Sequence, residues 1–139
     1  MHNQRLMRRL AGCLEWETFT AINEGRPIIG GLGNTDEFVA AAWKPGFIGM
    51  SLRLFNPKTA KWSIYWVDNL EGTLQPPVLG SFEKGVGTFI GPDTFAGKPI
   101  LVRFIWSGIT ANSARWEQAF SPDDGMSWET NWIMTFTRP

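Results

Sequence analysis

A chain of 139 residues with 13 basic and 13 acidic side chains carries no formal net charge. That excludes the basic excess with which a general nucleic-acid binder neutralises phosphates, and it leaves little self-repulsion against a homodimer. Its 43 % hydrophobic content fits one domain spanning 1–139 around one core, and its single cysteine, Cys13, excludes an internal disulfide.

At the start, Leu6, Leu10 and Cys13 or Leu14 stand at helical spacing and predict a short amphipathic N-terminal helix or arm over residues 1–13. "LAGC" (10–13), behind Arg5, Arg8 and Arg9, resembles a bacterial lipobox. A signal needs an apolar stretch of about 7–15 residues, and only Leu10 and Ala11 stand between Arg9 and Gly12. No segment reaches the ~18 apolar residues of a membrane helix. The expectation is a soluble cytoplasmic protein with no membrane partner.

After residue 13 the helical period disappears, and short alternating segments are punctuated by glycine and proline, the pattern of a β meander. "LEWETFTAI" (14–22) reads as a strand, "NEGRP" as a turn, and "PIIGGLG" (27–33) as a strand that is bulged or kinked at its glycines. "DEFVAAAW" (36–43) follows Asn34-Thr35, read as a turn or bulge. "FIGMSLRLF" (47–55) and "WSIYWVD" (62–68) flank the hairpin loop "NPKTAK". "VLGSFE" (78–83) and "VGTFIG" (86–91) are joined by Lys84-Gly85, a tight-turn pair. "ILVRFIWSGI" (100–109), "ARWEQAF" (114–120) and "WETNWIMTFTR" (128–138) complete the series.

Nine or ten strands joined mostly by short loops predict an all-β, antiparallel up-and-down barrel, whose closure removes the exposed sheet edges; a two-sheet sandwich is the alternative. Several strands are apolar on both faces. In 100–109 one parity carries Ile100, Val102, Phe104 and Trp106, and the other Leu101, Arg103 and Ile105; in 47–55, Arg53 shares a parity with Phe47, Ser51 and Phe55. The mixed faces, with arginines among aromatics, are expected to line the lumen.

The only histidine is His2, which is expected at a frayed chain end. That leaves no Ser-His-Asp or Cys-His set. No spaced ligand cluster suggests a metal, and no cofactor is expected. Glu117 and Asp68 are the carboxylates considered as an acid or base; the alternative for Glu117 is a solvated face opposite Trp116. Arg53 and Arg103 sit mid-strand between apolar neighbours, where a guanidinium needs a partner: an anionic ligand or an internal salt bridge. Trp62/Trp66 and Trp128/Trp132 are spaced to share a strand face, as core or as a stacking platform for a flat ligand. Ser121, Asp123, Gly125 and Trp128 in "SPDDGMSW" match S-x-D-x-G-x-[ST]-W, which resembles the Asp-box of sialidases and is read here as a device that builds a hairpin turn.

"LAGCLEW", "RLFNPKTAKWSIYWVDN" and "RWEQAFSPDDGMSWETNWIMTFTR" together resemble the DUF1579 family of bacterial proteins, over roughly residues 10–138. The resemblance extends to the calycin superfamily of lipocalins, fatty-acid-binding proteins and nitrobindins. It implies a calycin-like barrel with an internal cavity, small hydrophobic ligands and, in a few relatives, enzymatic activity. Nitrobindin-like haem binding would require a histidine in the C-terminal half, which this chain lacks. The leading expectation is a lumen that binds a small molecule with a polar or anionic end, lined by Arg53, Tyr65, Trp66, Arg103, Trp106 and Trp132. The alternatives are a barrel enzyme using a lumen carboxylate and an arginine, and a filled barrel that acts through its surface.

Overall fold

Alternation and turn chemistry produce eleven strands in the computed structural model, which describes residues 1–139. In chain order they are β1 (His2–Leu6), β2 (Trp16–Thr20), β3 (Ile22–Ile28), β4 (Gly33–Val39), β5 (Ile48–Asn56), β6 (Lys61–Asp68), β7 (Val78–Glu83), β8 (Val86–Phe95), β9 (Lys98–Ser107), β10 (Ser113–Ser121) and β11 (Glu129–Thr137). From β3 to β11 each strand pairs antiparallel with its successor; β1 then docks on β11, and β2 on β1. The sheet curls into a nearly closed barrel. Its two ends, β2 and β3, run in the same direction and are separated by Ala21 alone. The stretch 16–28 therefore lies against β1 in its first half and against β4 in its second, and spans the seam covalently. Ala21 is buried there, and its N–H donates to the Met1 carbonyl at 3.0 Å.

The tightest connections follow from local chemistry. Lys84-Gly85 and Ala96-Gly97 join β7 to β8 and β8 to β9, and all four residues have positive φ (51°, 78°, 50° and 77°). That is the requirement of a type I′ turn, whose twist matches the twist of the strands it joins.

Three expectations are corrected. Residues 1–13 contain no helix: His2–Leu6 is a strand in register with Trp132–Thr135 on one side and Trp16–Thr20 on the other. The free edge of β11 must find backbone partners, and that demand outweighs the helical spacing of Leu6 and Leu10. "NEGRP" is not a turn but lies within β3, where the end-strand position tolerates Gly25 and Pro27. The reversal comes later: Ile29–Gly31 forms one 3₁₀ turn with all three residues at positive φ, so "GGLG" leads into β4 and Asn34-Thr35 belongs to that strand. The new β1 and the division of 16–28 at Ala21 raise the strand count from the expected nine or ten to eleven.

Inside the barrel the buried apolar residues form two clusters. One contains Phe38, Phe47, Trp116 and Met134; the other contains Ile64, Val78, Phe89, Val102 and Phe120. Phe104 and Trp106 pack against both. No helix is long and apolar enough to cross a membrane, which says nothing about strands.

Candidate functional site

The connections 7–15, 40–47, 69–77, 96–97 and 122–128 all emerge at one end of the barrel, as the alternating strand directions require. A cavity of about 470 Å³ runs from Phe104, Trp116 and Trp132 in the interior to Arg9, Lys44, Leu70 and Glu71 in or beside those loops. A smaller space of about 220 Å³ lies toward the other end, lined by Asn34, Trp62, Phe82, Phe89 and Ile109. Arg53, Ile64 and Trp106 line both and form the partition between them.

The structure brings together five of the six lumen residues expected from sequence: Arg53, Tyr65, Trp66, Trp106 and Trp132 line the larger cavity. Arg103 does not. On β5 the mixed face turns inward as expected, with Phe47, Ser51 and Arg53 in the wall. On β9 the assignment is reversed: Val102, Phe104 and Trp106 face the cavity, and Arg103 lies on the outer side. There its guanidinium covers the Trp128 ring at 4.4 Å. Stacking on an indole gives a cation an apolar partner without a lumen, which is why the parity rule fails at this strand.

Arg53 is held by two acceptors on β4, Asp36 Oδ2 at 2.7 Å and Asn34 Oδ1 at 2.9 Å, and it lies 5.5 Å from the Trp106 ring centroid. Asp36 is 6 % exposed, and its second oxygen accepts the Ser51 N–H at 3.2 Å. The ion pair is therefore internal, and the charge of Arg53 is already matched; only its buried Nε lacks a partner.

The two carboxylates considered for acid–base work separate. Glu117 is outside, paired with Arg115 at 3.3 Å, while its neighbours Trp116 and Gln118 line the cavity. Asp68 is in the cavity wall, but one oxygen accepts the N–H groups of Leu70 and Glu71 at 3.0 and 3.1 Å, and the other accepts Trp66 Nε1 at 3.2 Å. It serves as a cap for the 69–77 loop and a brace for an indole. No group of three or more His, Cys, Asp or Glu residues is clustered to hold a metal ion.

Around Trp132 the lumen is aromatic on several sides. Phe19, Phe38, Trp43 and Trp116 present edges to it at 5.7–6.2 Å, and its Nε1 donates to the buried Asn3 Oδ1 at 3.0 Å. Trp43 stacks on Phe19 at 4.6 Å. Arg5 lies beside this pair, 5.3 Å from the ring centroids of Trp43 and Trp132 and bonded to Glu17 at 3.2 Å. Arg9 lies over Phe95 at 5.1 Å and Phe120 at 5.6 Å. Burial lowers its pKa to about 10, with repulsion from Arg5 as the second cause; Asp93 and Glu129 act in the opposite sense.

Sequence reading missed Asp36, Arg5 and Arg9. Asp36 shares a parity with Phe38, and that was the available signal. Arg5 faces inward because β1 pairs with β11, and Arg9 reaches the cavity from the loop that follows; neither cause is local to the segment.

The Asp-box residues build a turn. Asp123 accepts Ser121 Oγ and the Ser127 N–H, each at 2.8 Å, as well as Ser127 Oγ at 2.5 Å; Ser121 Oγ accepts the Gly125 N–H at 2.7 Å. These donors hold the Asp123 carboxyl below its usual range, the Ser127 hydroxyl most of all. Gly125 has φ 89°, and Trp128 covers it.

No protein-family model matches the chain, and no curated protein matches it.

Proposed function

We propose that the barrel binds a small hydrophobic or aromatic molecule with a polar or anionic end inside its lumen. The observation that carries this reading is the cavity. At about 470 Å³ it lies within the ~300–1,000 Å³ range of small-molecule sites, and its walls combine aromatic side chains with charged and polar ones. A barrel filled by its own side chains would leave no such space. The calycin resemblance supports the same reading. The enzyme alternative is weaker, because Glu117 lies outside and Asp68 is committed to loop and indole donors.

Mass spectrometry of the gently purified protein, native against denatured, tests the proposal. A mass difference matching a released small molecule is expected. An identical mass in both states, with no change in tryptophan emission across a panel of hydrophobic acids and amides, would sink it.

A further inference from the structure

The cations of the cavity wall are not equivalent. Arg53 is neutralised by Asp36 at 2.7 Å, and Lys44 is exposed above Phe47. Arg5 shares one oxygen of Glu17, and its Nε is buried without a partner. Arg9 differs from all of these. It is only partly exposed, its guanidinium rests on two phenylalanine rings, and it makes no ion pair within 4.0 Å and no side-chain hydrogen bond. Of its nearby carboxylates, Glu129 accepts the Leu10 N–H through one oxygen at 2.7 Å and Asp93 the Thr94 N–H through one oxygen at 2.7 Å, and neither comes within 4.0 Å of the guanidinium. Both arginines come from the N-terminal segment and line one cavity.

Both guanidiniums line one space, and the Arg5 charge adds to the cost of charge on Arg9. A half-buried arginine with no acceptor also has donors left to satisfy. An anion placed between them relieves both penalties, and the aromatic seats hold the two forks ready. The charge count sets the class. One guanidinium without an ion pair matches a single carboxylate, while Asp93 and Glu129 close by oppose a dianion.

Building on the lumen-binding reading, we propose that Arg9, assisted by Arg5, is the anion-recognising residue of the cavity, and that the ligand is a carboxylic acid whose apolar body reaches in toward Trp132. Arg53 then has a structural role in the wall.

The test compares binding of 2-naphthoate, neutral 2-naphthamide and 2-naphthyl phosphate to the full chain, followed by tryptophan quenching. Wild type is expected to bind the acid at least about tenfold more tightly than the amide, and more tightly than the phosphate. Arg9→Gln is expected to abolish the preference for the acid without weakening the amide, and Arg103→Gln on the outer face to keep it. Equal affinity for acid and amide, or a preference that survives Arg9→Gln, overturns the assignment to Arg9 while lumen binding stands. Tighter binding of the phosphate overturns the carboxylate class. If none of the three binds, this assignment falls, and the lumen reading is decided by the comparison of native and denatured masses.

Discussion

A guanidinium within a barrel wall is stable only while an acceptor stays beside it, and for Arg53 that acceptor is Asp36. The pair is 18 % and 6 % exposed, so solvent replaces little of what is lost when one partner is removed. Asp36→Ala is expected to lower unfolding free energy by about 3 kcal/mol. The double variant Asp36→Ala/Arg53→Met should lose clearly less than the sum of the two single changes, because no uncompensated charge remains. Denaturant titration of the three variants decides this, and additive losses would show that the pair is not coupled. Asp123 invites the opposite expectation about location. All its acceptor capacity goes into its own turn, so Asp123→Ala should lower the melting temperature and leave lumen affinity of the folded fraction intact. The sign with pH follows from its lowered folded pKa. Its stabilisation is complete above the unfolded value of 3.8 and is lost as pH falls through the lower folded one. The difference in melting temperature between wild type and Asp123→Ala should therefore hold from neutral pH to about 5 and shrink below about 4. A difference that persists unchanged into strong acid would place the effect outside the carboxylate.

Strand pairs in this barrel approach most closely where a side chain is absent. A Cβ on Gly80 of β7 would sit 1.8 Å from the Thr88 carbonyl oxygen of β8, a backbone atom that cannot swing aside. On the end strand β3, a Cβ on Gly25 would meet nothing nearer than 3.6 Å, and that glycine has no positive φ. Gly80→Ala should therefore cost about 2 kcal/mol or more, while Gly25→Ala should stay within about 0.5 kcal/mol of wild type. Equal effects in thermal melts would mean that β7 and β8 are free to separate. Elements of this kind were legible in proportion to how local their causes are. Strands 62–68 and 78–83 and the Lys84-Gly85 turn could be read because alternation and turn chemistry act within a few residues. β1 could not, because its partner is distant in sequence: His2 pairs with Thr135. β3 is a hairpin partner of β4, but Gly25 and Pro27 give it the local composition of a turn. The same division runs through the site. The inward face of β5 with Arg53 declared itself by parity, whereas the inward turn of Arg5 depended on a pairing with β11 that no local pattern encodes.

At the scale of the whole barrel, the N-terminal segment is a structural stave rather than an arm. β1 satisfies the edge of β11 through four residue pairs and the edge of β2 through five. It also carries Arg5 against Trp43 and Trp132, and Asn3 against the Trp132 indole. Removing residues 1–12 would open the sheet at a second place, expose the β11 edge and the other edge of β2, and take one side from the aromatic cluster. Exposed edges of this length invite pairing between chains. The truncated chain is expected to lose its near-ultraviolet circular dichroism and its cooperative melt, and to aggregate on concentration. A synthetic peptide of residues 1–12 added in trans should restore part of the signal, because the vacant groove still offers both ladders. If the truncated chain instead melts within about 2 °C of the full chain and stays monomeric, β1 contributes less than one ordinary stabilising contact, since ~1 kcal/mol shifts a domain of this size by several degrees. The barrel would then be held by β2–β11 alone, and Arg5 and Arg9 would be carried on a segment free to leave.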